Sequence, residues 1–238
     1  MAIEAIVSDV DNTLFDFMTM KMDSSYYAIE KMISRGLPID MVEAKRMLPE
    51  IFRNFTWEDP LLFWHVAQWA GIKDQVSLER YAQMGKVAYR KKQSQIMKPY
   101  EGVAETLGAL KEKEIQLAIL SDAPRLKVFD RLCELELDPY FENRVVGNEN
   151  DDKTKKPSPE AFQNVLGVLG RASPANVLMV GDHPIRDIVG AKNYGFITAW
   201  AKYGYHAQKD EDKNSIKTRA DYVLEQFSDL QRIVNENA

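Results

Sequence analysis

One cysteine occurs in 238 residues, so no intramolecular disulfide can form. That suits a reducing compartment. The thiol, Cys133, falls in the helix-like stretch 128–137, where a buried structural role is expected rather than a nucleophilic one. Positive charge is also in short supply. The formal net charge is −5 and the isoelectric point is near 5.4, which argues against a general affinity for nucleic acid or an anionic membrane. Any phosphate the protein handles must therefore meet a local cation. Long apolar runs are missing too: none approaches the roughly 18 residues of a membrane span. No basic segment precedes an apolar one at the amino terminus, where Ser8-Asp9 cuts the first apolar run short. A cytoplasmic protein binding neither nucleic acid nor membrane is expected. Asn54-Phe-Thr56 matches a glycosylation acceptor, but without a secretory signal the match carries no weight. Gly-x-Ser-x-Gly and Walker motifs are absent, and neither His65 nor His206 has a nucleophile partner visible in the sequence.

What is present is an ordinary globular composition, 45% hydrophobic and 28% charged, in a length that fits one large domain or a core with an insertion. The informative stretch is Ile3-Glu-Ala-Ile-Val-Ser-Asp-Val-Asp-Asn-Thr-Leu-Phe. An apolar segment ends abruptly in Asp9 and Asp11, with a hydroxyl at Thr13. If the segment is a buried strand, these groups emerge at its carboxyl end, where open α/β sheets bind ligands. Two carboxylates so spaced can hold a divalent cation, and one can attack while the other moves protons. A solvated acidic turn is the alternative reading. A calcium loop fails, because its sixth position needs Gly and holds Leu14, and its twelfth needs Glu and holds Met20.

Beyond residue 16 the pattern is helical for about eighty positions. Apolar residues recur at helical spacing in 18–36, and Pro38, Pro49 and Pro60 punctuate the next stretch of chain. Gly71 ends a helix over 61–70, and Ser77 is expected to cap another running toward Lys92. The aromatics of this block, Tyr26, Tyr27, Phe52, Phe55, Trp57, Phe63, Trp64 and Trp69, read mostly as the packing of a helical bundle. From Pro99 onward helices and strands alternate. Strands are expected over 115–120, near 144–146, and over 176–180, 196–200 and 222–224. Helices are expected over 125–137, 159–169 with Ser158 as cap, and 185–194 stopped by Gly195. The charge-rich stretch 209–219 reads as a solvated loop. Alternation implies a doubly wound parallel α/β sheet. The predicted organisation is a Rossmann-like core of residues 1–16 and 99–238 with an all-helical cap, 17–98, inserted after the first strand.

Three strands thus end in polar residues: Asp9/Asp11/Thr13, Ser121/Asp122 and Gly181-Asp182. Lys156 opens a helix before Pro157. Each alone has a plain structural alternative, a cap or a surface lysine. Together, in this order, the chain resembles the haloacid dehalogenase superfamily, most closely its phosphatases with a helical cap. Asp9-Val-Asp11-Asn-Thr13 is similar to that family's first motif and Leu120-Ser121-Asp122 to its second. Lys156-Pro157-Ser-Pro159 is similar to the third and Gly181-Asp182-His-Pro-Ile-Arg-Asp187 to the fourth.

The resemblance implies Mg²⁺ held by the carboxylates of Asp9 and Asp182 and the backbone carbonyl of Asp11, with Asp187 in the outer shell. It implies attack by Asp9 on phosphorus, with Asp11 as acid and then base. Thr13, Ser121 and the backbone N–H groups beside Asp11 and Asp122 would bind phosphoryl oxygens. Lys156 would balance charge and hold nucleophile and phosphate, with Lys155 as a possible substitute. Asn12 stands where many relatives carry Gly or Asp, and His183 reads as a loop or cap residue. The implied substrate is a small phosphorylated metabolite, admitted beneath a cap hinged near 16–19 and 97–100. A dehalogenase is disfavoured because Asp11 is retained. A phosphomutase of the same superfamily, or a non-catalytic phosphate-sensing module on the same fold, are the competing readings.

Overall fold

The apolar run after the amino terminus forms β1 (Ala5–Ser8), buried along its whole length as a strand covered on both faces must be. The structure is a computed structural model and describes residues 2–148, 151–170, 172–206 and 220–237. The stretch 209–219, expected to be a solvated loop, lies outside the described residues, as do two positions on the approach to Lys156. After β1 come four helices: α1 (Phe17–Ile33), α2 (Met41–Asn54), α3 (Leu62–Trp69) and α4 (Gln75–Ile96). The remainder alternates: α5 (Val103–Glu112), β2 (Gln116–Leu120), α6 (Arg125–Glu134), α7 (Asp138–Phe141), β3 (Val145–Val146), α8 (Pro159–Val168), β4 (Val177–Gly181). A π-helical turn (Pro184–Val189), α9 (Gly190–Tyr194), β5 (Ile197–Ala201), β6 (Tyr222–Leu224) and α10 (Asp229–Glu236) complete it.

All six strands pair in parallel, in the order β3-β2-β1-β4-β5-β6. That is a doubly wound α/β sheet, with β1 at the centre and the order reversing beside it. Ser8 is in register with Ile119 of β2 and Val180 of β4. Asp9, Leu120-Ser121 and Gly181-Asp182 therefore leave the sheet at the same edge. Beneath them Val7, Ala118, Leu120, Phe162, Val177 and Met179 share one apolar cluster. The chain divides into two compact units, Met1–Phe17 with Lys98–Ala238, and Met18–Met97.

The helical unit packs around Ile29, Met32, Met47, Leu48, Ile51, Phe63 and Val66. Of its aromatics, Phe52 and Phe63 are buried there and Tyr26, Trp57 and Trp64 lean against the cluster, whereas Phe55 and Trp69 are exposed. Pro49 does not punctuate this unit; it lies inside α2. A mid-helix proline costs about 3 kcal/mol. Ala44, Met47, Leu48, Ile51 and Phe52 bury one face of the same helix, and each large apolar side chain contributes about 1.5–3 kcal/mol, so burial outweighs the break. The cap of α4 is Asp74 rather than Ser77: its carboxylate accepts the Ser77 N–H at 2.9 Å.

Two further expectations shift. Cys133 is exposed, because α6 turns Val128, Arg131 and Leu132 inward and position 133 falls off that face. The helix expected over 185–194 begins as a π turn and becomes α-helical only at Gly190; Gly195, at φ 98°, ends it. Ser158 caps α8 as expected, accepting from Glu160 N–H. No helix among the described residues is long and apolar enough to cross a membrane.

Candidate active site

Asp9 directly follows β1 and is buried, and its Oδ1 lies 2.6 Å from Lys156 Nζ. The same ammonium lies 2.7 Å from Asp187 Oδ1 and donates to the Leu120 carbonyl at 3.1 Å. Thr13 Oγ1 donates to Asp9 Oδ2 at 3.5 Å. Ser121, at the end of β2, is buried and its Oγ accepts the Ala123 N–H. Asp182, after β4, is buried beside Asp9 and Asp187, and carboxylate oxygens of the three lie within 4.8 Å of one another. The structure thus brings Asp9, Thr13, Ser121, Lys156, Asp182 and Asp187 to one sheet edge.

Asp11 and Asp122 point elsewhere. The Asp11 carboxylate pairs with Arg131 at 2.9 Å and lies outside the three-acid cluster; the ligand expected from this residue is its backbone carbonyl. The Asp122 side chain is engaged within the protein. Its Oδ1 accepts the Lys156 backbone N–H at 2.8 Å and its Oδ2 meets Arg186 at 3.3 Å, so it fixes the loop that carries Lys156.

Close backbone packing holds these loops. Asp187 Oδ2 accepts the His183 N–H at 2.9 Å, and His183 Nδ1 accepts from Ile185 and Arg186, which makes His183 the cap of the π turn. A methyl group on Gly181 would come within 2.4 Å of the Asp187 side chain, so only glycine lets that carboxylate fold back over β4. Asn12 sits at φ 59°, a left-handed conformation asparagine tolerates. A methyl group on Gly204 would fall 1.5 Å from the Asn12 carbonyl oxygen. Tyr203 donates its hydroxyl to the Thr13 carbonyl at 2.7 Å, and Trp200 Nε1 donates to the Asp182 carbonyl at 2.8 Å. Arg131, Trp200, Tyr203 and Gly204 do not stand out in the sequence as site residues, whereas Arg186 falls within the fourth motif. The signal available is position: Trp200 to Gly204 lie at the end of β5, a neighbour of β4 on the ligand-binding edge.

The electrostatics identify what the cluster lacks. Burial pushes the Asp9 carboxyl up to about 7; Lys156 opposes this, and Asp187 and Asp11 reinforce it. Asp182 is pushed up to about 8, first by burial and then by Asp187 and Asp9. Burial would also raise Asp187, but Lys156 and Arg186 outweigh it and hold that carboxyl low. Burial works against the Lys156 ammonium, yet Asp187, Asp9 and Asp122 win and raise it. Three buried carboxyls crowd one buried ammonium and can shed their protons together only if a further cation joins them, and all the donors are hard oxygens. That set fits a divalent oxygen-loving cation.

Comparison with known proteins agrees with this arrangement. The haloacid dehalogenase-like hydrolase family matches residues 3–195. A glyceraldehyde 3-phosphate phosphatase of Pyrococcus furiosus is 30% identical over 98% of this chain and 93% of its own. The pyrophosphatase PpaX of Halalkalibacterium halodurans is 36% identical over 60% of this chain and 63% of its own. Among solved structures, a putative beta-phosphoglucomutase from Thermotoga maritima superposes with a TM-score of 0.72 at 24% identity, over 99% of this chain and all of that one. At that identity the likeness speaks for the fold. The chain belongs to the haloacid dehalogenase-like hydrolases, as an enzyme of their phosphatase kind.

Proposed function

We propose that the chain is a Mg²⁺-dependent phosphatase that hydrolyses a small phosphate monoester through an aspartyl phosphate on Asp9. The observation that carries this is the placement of Asp9: a buried carboxylate at a strand end, gripped on one oxygen by Lys156 and clustered with Asp182 and Asp187. Asp9, Asp182 and the backbone carbonyl of Asp11 would hold the cation, with Asp187 in support. When bound, it offsets the repulsion between a carboxylate nucleophile and an anionic phosphoryl group.

The chain's own residues account for the rest. Lys156 fixes Asp9 Oδ1 and leaves Oδ2 for attack. A lone pair of that oxygen forms the new bond to phosphorus while the ester P–O bond breaks, and Asp11 gives its proton to the departing alkoxide. In the second half, water attacks phosphorus, Asp11 takes its proton, and the Asp9–phosphorus linkage breaks to release inorganic phosphate. Thr13 and Ser121 hydroxyls and the N–H groups beside Asp11 and Asp122 orient the phosphoryl oxygens.

The Pyrococcus relative's name makes glyceraldehyde 3-phosphate the first compound to test within a panel of phosphorylated metabolites. Release of inorganic phosphate from one of them with Mg²⁺, its loss in chelator, and borohydride trapping of a labelled Asp9 are the expected results. Conversion of a sugar phosphate to its isomer without phosphate release would replace the hydrolase by a mutase. No turnover on any ester would leave only a phosphate-binding role.

A further inference from the structure

The helical unit carries a second concentration of charge, of the opposite sign. Tyr27, Lys31 and Arg35 succeed one another at four-residue spacing along one face of α1 and its exit turn. Arg80, Met84 and Lys91 lie along one face of α4. The two runs are antiparallel, since Lys92 Nζ lies 5.8 Å from the Tyr27 ring while the Tyr81 hydroxyl donates to the Arg35 carbonyl. Between them opens a groove of about 580 Å³, lined by these six residues among others and by no carboxylate. Its volume is that of a small-molecule site.

The cations in it differ from the two arginines of α2. Arg46 and Arg53 on α2 each pair with a glutamate three residues back. Among the described residues, Lys31, Arg35, Arg80 and Lys91 have no carboxylate partner. Four like charges facing one concavity repel one another, and in a chain of net charge −5 they form a local reversal of the field. Tyr27 and Met84 add an apolar floor, and Lys31 Nζ already sits 4.9 Å from the Tyr27 ring.

We propose that this α1–α4 groove binds a small anion carrying two or more phosphate groups. Arginine forks at Arg35 and Arg80 match phosphate oxygens bidentately, and Lys31 and Lys91 supply point charges. The shared chemistry is the linked phosphates, which inorganic pyrophosphate and a nucleoside triphosphate both present. The lining belongs wholly to residues 18–97, so this site is separate in sequence from the Asp9 cluster and does not depend on its chemistry.

Titration calorimetry of the full-length chain with pyrophosphate and with ATP, in excess chelator, tests it. Chelator leaves Asp9, Asp182 and Asp187 uncompensated, so phosphate is repelled there and the signal reports the groove. Saturable binding is expected, weakened at least about ten-fold by R35Q/R80Q, unchanged by K156A, and falling steeply with salt. Equal binding of the two probes assigns recognition to the phosphates alone. Tighter binding of ATP, lost in Y27L, assigns a nucleotide. Absence of saturable binding for both probes, binding that survives R35Q/R80Q, or loss in K156A instead would overturn the proposal. So would capture of an acidic peptide when neither phosphate compound binds.

Discussion

Arg131 Nη1 lies 2.9 Å from Asp11 Oδ2, and the same guanidinium packs over the Phe17 ring at 4.8 Å. The arginine comes from α6 and is buried, whereas the aspartate keeps about a quarter of its side-chain exposure. The proposed proton carrier is therefore held by a rigid partner on one side and reachable on the other. Removing the guanidinium frees Asp11 to wander, and small misplacements of a reacting group are costly. We expect R131Q to lower kcat about ten- to hundred-fold with little change in KM, and R131K to recover part of the loss. Steady-state kinetics of both variants decide it; a larger effect on KM than on kcat would make the pair a binding element.

Asp9→Asn should abolish turnover, by at least about 10⁴-fold, because an amide is a poor nucleophile. It should also do something less usual for an active-site change. Burial already disfavours the charged carboxylate at position 9. In chelator at alkaline pH the variant should melt no lower than wild type, and added Mg²⁺ should raise its Tm less. Calorimetry with and without metal reads both effects.

The raised carboxyls fix the sign of the pH dependence. Asp9 and Asp182 bind protons more tightly folded than unfolded, at about 7 and about 8 against an ordinary 3.8. Their contribution to stability is complete below the unfolded value and is lost as pH rises through the folded ones. Asp187, held low, contributes in the opposite sense and loses its share only on strong acidification. In chelator, Tm should therefore fall between about pH 5 and about pH 9. Saturating Mg²⁺ should flatten that fall, because a bound cation replaces the protons. A metal-free Tm that climbs across this window would contradict the cluster's electrostatics.

Gly181→Ala places a methyl group where the Asp187 side chain now lies. Such overpacking costs about 1–3 kcal/mol, or several degrees in Tm for a chain of this size. Asp187 must swing away to make room, so metal affinity should drop along with stability. A variant with normal Tm and normal Mg²⁺ titration would show that the π turn yields easily.

The strand ends are legible in the sequence because each combines a short apolar run with an abrupt polar stop, as at Ser8-Asp9 and Gly181-Asp182. Parallel pairing then brings those stops together whatever the loops do. Arg131 is illegible for the opposite reason: an arginine in a helix pattern looks solvated, and only the packing of α6 turns it inward. Tyr203 and Gly204 act through Thr13 and Asn12, some 190 residues away, a relation no local pattern carries. In the helical unit, Pro49 misleads because propensity speaks for one residue while a buried face speaks for five.

The pairing order of the sheet is drawn wholly from residues outside 18–97. A substitution within that stretch replaces no strand residue and no aspartate of the cluster. Variation can thus fall in two separate stretches: one that carries the strand ends and their clustered acids, and one that supplies none of them. A lineage built this way can reshape its four-helix unit, and the acids, the lysine and their glycine neighbours need never be rediscovered.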